Sequence, residues 1–89
     1  MTNTEKYFLL RFGRQLATKR KERCLTQKEL AQLAGISNAY IASIETGRRW
    51  PRLVVHHAIA DTLRIELAEL FEGLYFEPHQ NSDKSRKLA

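Results

Sequence analysis

The chain has 89 residues, 43% of them apolar, and a formal net charge of +5, enough for one compact domain that buries about 60–65% of its unfolded surface. Its single cysteine, Cys24, excludes an internal disulfide and fits a reducing, cytoplasmic setting. The apolar run Tyr7–Leu10 is too short for a secretion signal, and no stretch approaches the roughly 20 apolar residues that span a bilayer.

Phe8, Phe12, Leu16 and Arg20 recur on one stripe with Leu9 beside it, which predicts a first helix from about Glu5 to Arg23. The pattern breaks at Leu25, and Thr26-Gln27-Lys28-Glu29 reads as a capping box that opens a second helix to Ala34. Leu30, Ala31 and Leu33, or their neighbours, are its expected inward residues. Gly35 supplies the positive φ of a tight turn, and Ser37 is a suitable N-cap for a third helix from Asn38 to about Thr46. Ile41 and Ile44 face inward there, and Gly47 stands where a left-handed residue ends a helix. Pro51 disfavours helix at Trp50, so 47–51 reads as a loop. A fourth helix is predicted from about Arg52 to Leu63, with Leu53, Val55 or His56, Ile59, Ala60 and Leu63 inward. A fifth runs from about Glu66 to Leu74 on Leu67, Leu70, Phe71 and Leu74. From Glu77 the chain turns polar and basic. The expectation is an all-α bundle of five short helices over residues 1–76, followed by a disordered tail at 77–89.

Charge is segregated along this plan. Residues 1–24 and 47–64 are basic, and 65–77 is acidic, with a sequence pI near 9.7 overall. A nucleic-acid partner is consistent with that balance, although basicity alone is a weak signal. The turn between the second and third helices says more. Small Ala31, four residues before Gly35, lets the third helix cross close to the second, and Ile41 with Ile44 anchors it from behind. Ser37, Asn38, Ala39, Ala42 and Ser43 are left outward. They are short or amide side chains, and such a helix fits the major groove of duplex DNA.

At these residues the sequence resembles the XRE/Cro-type helix-turn-helix family of phage repressors and small bacterial regulators. The residues that carry the resemblance are Leu25-Thr-Gln-Lys-Glu-Leu-Ala31, Gly35-Ile-Ser37, Tyr40-Ile-Ala-Ser-Ile-Glu-Thr-Gly47, Arg48-Arg49 and Pro51. It continues through Leu53, Ile59-Ala60, Leu63 and Leu70-Phe71, covering about residues 10–72. It implies a lambda-repressor-like DNA-binding domain that reads bases with Asn38, Ala39 and Ser43. It also implies phosphate contacts from Gln27, which braces the third helix as well, and from the loop amides and side chains of Thr46, Arg48 and Arg49. Arg20 and Glu45 correspond to a structural ion pair. Three positions depart from the family pattern. Cys24 and Arg64 stand where glycine is usual, and Arg52 stands where a capping serine is usual.

Several residues carry two readings. Cys24 is a redox sensor or an incidental thiol, and Trp50 either anchors its loop or stacks on a sugar. Tyr40 contacts phosphate or merely packs. Arg11 and Arg14 flank DNA or form a solvated face. Adjacent His56 and His57 point about 100° apart on a helix, which does not suit one metal, so no metal or other cofactor is expected. Leu74, Tyr75 and Phe76 read as surplus apolar surface and hence as a homodimer interface. A two-fold dimer would set two recognition helices about 34 Å apart on a palindromic operator. The alternative is that 73–80 folds back on its own domain. A second function class, a protein-binding adaptor or an antitoxin holding a protein partner, would be favoured by an acidic recognition face, and Glu45 is the only acid on the third helix. No nucleophile–base set, metal cluster or phosphate loop suggests an enzyme.

Overall fold

The structure, a computed structural model, describes residues 2–74. Its elements are α1 (Asn3–Glu22), α2 (Gln27–Ala34), α3 (Asn38–Glu45), α4 (Leu53–Leu63) and a 3-10 helix (Leu67–Phe71); among the described residues there is no strand. The all-α expectation holds with four α-helices rather than five. The tail expected at 77–89 lies outside the described residues.

α1 begins two residues earlier than its apolar stripe suggests, because Thr2 and Glu5 form a capping box. The Glu5 amide donates to Thr2 Oγ1 at 3.0 Å and the Thr2 amide to Glu5 Oε1 at 2.7 Å. Lys19, Arg20 and Lys21 in its last turn complement the helix dipole. Cys24 then adopts the left-handed conformation, φ 58°, normally left to glycine. The amides of Cys24 and Leu25 donate to the carbonyls of Lys21 and Arg20 at 2.9 and 3.2 Å, satisfying the helix end.

α2 has the expected box: Thr26 Oγ1 accepts from the Glu29 amide at 3.0 Å, and Glu29 Oε1 accepts from the Thr26 amide at 2.8 Å. Gly35 is left-handed at φ 75°, and the Ile36 amide donates to the Ala31 carbonyl at 3.0 Å, which turns the chain sharply into α3. Leu33, expected inward, is 66% exposed. The buried arc of this short helix is centred between Leu30 and Ala31, and Leu33 lies about 110° from that centre.

α4 starts at Leu53, after Arg52, whose side chain makes no capping hydrogen bond. Leu53 was expected inward as well, yet it is 70% exposed. Val55, His56, Ile59, Ala60 and Leu63 form the buried arc, and Leu53 sits on the first turn about 90° from its centre. Arg64 ends the helix at φ 60°, again where glycine is usual. Between Arg64 and Gly73 (φ 76°) there is room for only a short element, and it winds as a 3-10 helix rather than the expected α-helix. Its tighter three-residue turn aligns Leu67 with Leu70.

Phe12, Leu16, Leu30, Ile41, Ile44, Ile59, Leu63 and Leu70 are fully buried and hold all the elements on one core. Leu74 corrects another expectation. It is 8% exposed and belongs to this core, so it is not surplus surface for a dimer. Its companions Tyr75 and Phe76 lie outside the described residues.

Candidate nucleic-acid interface

α3 is fixed from behind and open in front. Ile41 and Ile44 are fully buried, whereas Ser37, Asn38 and Ala39 on its first turn are exposed and Ala42 and Ser43 half-buried. Ser37 Oγ accepts from the Tyr40 amide at 3.0 Å, so Ser37 is the structural cap of the helix it was expected to help read with. The Ser43 hydroxyl donates to the Tyr40 carbonyl at 2.7 Å, and the Thr46 hydroxyl donates to the Ala42 carbonyl at 2.9 Å. Those two side chains keep acceptor capacity outward but no free hydroxyl proton. No partner among the described residues takes the Asn38 amide, which leaves both of its hydrogen-bonding ends for a ligand.

A clamp at the back of α3 sets its angle. Glu45 receives a forked hydrogen bond from Arg20, Nε to Oε2 at 2.6 Å and Nη2 to Oε1 at 3.0 Å; Arg20 Nη1 donates to the Leu25 carbonyl at 2.7 Å. Both side chains are about nine-tenths buried or more, and bonding to Glu45 raises the pKa of Arg20 further, so this charge is permanent. Gln27 Nε2 donates to Glu45 Oε1 at 2.9 Å, joining α2 to the same carboxylate. An amide nitrogen carries two protons, so Gln27 keeps one donor for an anion in front. The structural pairing implied for Arg20 and Glu45 is therefore present, and Gln27 braces α3 directly. Glu45, the only acid on α3, is spent.

Gly13 contributes to the same arrangement, and its role is legible only as an odd glycine inside a helix. A Cβ there would lie 2.5 Å from the Ile44 carbonyl oxygen and 2.6 Å from that of Glu45. The bare backbone lets the end of α3 rest on α1.

The loop after α3 is stiff. Gly47 is left-handed at φ 77°, with the Leu10 side chain 2.8 Å from where a Cβ would be. The amides of Thr46, Gly47 and Arg48 donate to the carbonyls of Ala42, Ile44 and Ser43 at 3.1, 3.1 and 2.9 Å. These amides are committed to ending the helix, which corrects the expectation that they would hold phosphates. The exposed side chains of Arg48 and Arg49 remain for that work, and the Arg49 guanidinium lies 5.0 Å over the half-buried Tyr40 ring. Trp50 anchors the loop, its ring centre 4.9 Å from that of Phe12 and 5.0 Å from that of His56.

His56 is buried in this aromatic group. Its Nδ1 lies 3.1 Å from the Arg52 carbonyl, which can only accept, so Nδ1 carries the proton and Nε2 is left buried with no partner among the described residues. Burial lowers its pKa. His57 is exposed, and among the described residues no group of His, Cys, Asp or Glu side chains is placed to hold a metal. Cys24 is exposed at the far end of α1. Arg11 is not a free flank, because its Nη2 donates to the Gly73 carbonyl at 3.0 Å; Arg14 is exposed.

Comparison with known proteins places this geometry. The HTH_3 helix-turn-helix family model matches residues 16–70. The chain is 36% identical over 70 residues to the uncharacterized HTH-type transcriptional regulator YqaF of Bacillus subtilis, covering 79% of this chain and 92% of that protein. It is 40% identical over 58 residues to the immunity repressor protein of Bacillus phage phi105, covering 65% of this chain and 40% of the repressor. Among solved structures, the restriction-modification controller protein C.AhdI from Aeromonas hydrophila superposes with a TM-score of 0.72 at 36% identity, over 74% of this chain and 96% of the controller.

Proposed function

Because the chain belongs to the HTH_3 helix-turn-helix family and is a non-enzymatic, DNA-binding transcriptional regulator, we propose that it acts in the cytoplasm as a homodimer on a two-fold operator beside its own gene. α3 enters the major groove. Asn38 pairs with adenine N6 and N7, and Ala39 meets a thymine methyl. Ala42 and Ser43 line the floor of the contact, with Ser37 at its edge. Gln27, Tyr40, Arg48 and Arg49 hold phosphates on either side and set the register, while Thr46 is spent in ending α3. The observation that carries this reading is the split along α3: Ile41 and Ile44 at zero exposure, Asn38 and Ala39 open on the adjacent face.

With Leu74 spent in the core, the dimer contact is better supported at the first turn of α4. Leu53 and Val54 are 70% and 65% exposed there and make a contiguous apolar patch. Two copies paired by a two-fold axis would present their α3 helices about 34 Å apart, one turn of DNA.

Footprinting on fragments flanking the gene tests this. A protected site with two half-sites, centres about 10 base pairs apart, is the expected result. Binding to every fragment alike, or to none at low salt, overturns it.

A further inference from the structure

Arg49 is exposed and pairs with no carboxylate among the described residues, yet its guanidinium carbon lies 5.0 Å over the centre of the Tyr40 ring. Neighbouring Arg48, also exposed, has no ring beneath it among the described residues. The two arginines are therefore not equivalent.

Both ends of the Tyr40–Arg49 contact are held. Tyr40 packs against the core, its amide donates to Ser37 Oγ at 3.0 Å, and its carbonyl accepts from the Ser43 hydroxyl at 2.7 Å. The next residue, Ile41, is fully buried. On the other side the Arg48 amide donates to the Ser43 carbonyl at 2.9 Å, the Trp50 ring lies 4.9 Å from that of Phe12, and Pro51 is fully buried. Arg49 thus leaves a fixed stretch of backbone, and its long side chain is the adjustable part. A free arginine loses rotamer freedom when a ligand orders it, and one already lying on a ring has lost part of that freedom beforehand. A planar guanidinium offers its face to a ring and keeps its N–H donors directed outward in the plane. The stack orients those donors without occupying them.

We propose that Tyr40 is a positioning residue for DNA binding: its ring holds the Arg49 guanidinium in the attitude that grips a backbone phosphate beside α3. This rests on the reading of α3 and the loop after it as the DNA-facing side. It assigns the share of Tyr40 in phosphate binding to Arg49, through the ring, rather than to the Tyr40 hydroxyl. The stack persists in the complex, so it favours binding instead of competing with it.

Full-chain variants are titrated with a fluorescent mixed-sequence duplex over a range of salt, where phosphate contacts dominate. Arg49→Ala should weaken binding and lower the salt slope by about one unit. Tyr40→Leu, with its helical circular dichroism retained, should weaken binding about two- to tenfold, the effect of leaving one long side chain unordered. Tyr40→Phe, which keeps the ring and removes the hydroxyl, should recover most of that loss. In the Arg49→Ala background, Tyr40→Leu should cost little more. Equal loss in both backgrounds would make Tyr40 a packing residue, and equal loss in Tyr40→Phe would make it a direct hydroxyl contact. Tighter binding by Tyr40→Leu would mean that the ring holds Arg49 back. Each of these overturns the proposal and leaves the DNA-facing side where it is. If Arg49→Ala binds as tightly as wild type with the same slope, that reading of the loop falls and the proposal with it. Proton spectra of the wild-type chain give an answer that no substitution can disturb. The Arg49 δ-methylene protons should keep their ring-current shift when the duplex is added, and loss of that shift overturns the proposal.

Discussion

Gly13 of α1 lies directly against the carbonyl of Ile44 in α3, so close that a methyl group at 13 would stand 2.5 Å from the oxygen. The neighbour is backbone and cannot swing aside. Gly13→Ala should therefore destabilise the domain by about 1–3 kcal/mol through overpacking, outweighing the roughly 1 kcal/mol by which alanine favours a helix interior. A melting curve checks the sign. A higher midpoint than wild type would mean the two helices part freely.

The clamp behind α3 predicts a non-additive pair. Glu45→Ala strands Arg20, whose side chain is 10% exposed, and should cost about 3–5 kcal/mol. Arg20→Leu with Glu45→Leu removes both charges and should recover much of that loss. Denaturant midpoints of the single and double variants decide it.

Cys24 and Arg64 hold left-handed backbone at φ 58° and 60°. Glycine removes a strain of about 1–2 kcal/mol at each, partly offset by its looser unfolded chain. Cys24→Gly and Arg64→Gly should each raise the melting temperature. A fall at either position would show that the side chain contributes more than the backbone strain takes away.

Much of this plan is legible in the sequence, and the failures have physical causes. Thr26–Glu29, Gly35, Ser37 and Gly47 work through local chemistry, and each does in the structure what its residue type dictates. Thr2–Glu5 carries the same capping signature, but an apolar stripe draws the helix start to Glu5. Leu33 and Leu53 mislead because in a short helix a few tens of degrees decide which side is buried. The fifth helix fails because left-handed residues at both ends leave no room for α-helical turns. The Arg20–Glu45 pair needs the family resemblance to be seen. The Gly13 contact and the commitment of the loop amides depend on how helices meet in space, which spacing does not carry.

His56 makes stability depend on pH. Burial lowers its folded-state pKa below the ordinary 6.5, so between the two values the unfolded chain binds the extra proton. Stability is fully present above about pH 6.5 and falls as pH drops toward the lower folded-state value. Urea midpoints between pH 7.5 and 5 should show that decline, and His56→Leu should flatten it. An unchanged slope in the variant would assign the effect to other groups.

The division of labour on α3 is tested most directly by measuring Asn38→Ala and Arg48→Ala against the operator and its single-base variants over a range of salt. Asn38→Ala should relax discrimination at one base position by about 1–3 kcal/mol while leaving the salt dependence intact. Arg48→Ala should weaken all sequences alike and reduce the salt slope by about one unit. Equal weakening of every site by Asn38→Ala would contradict the account.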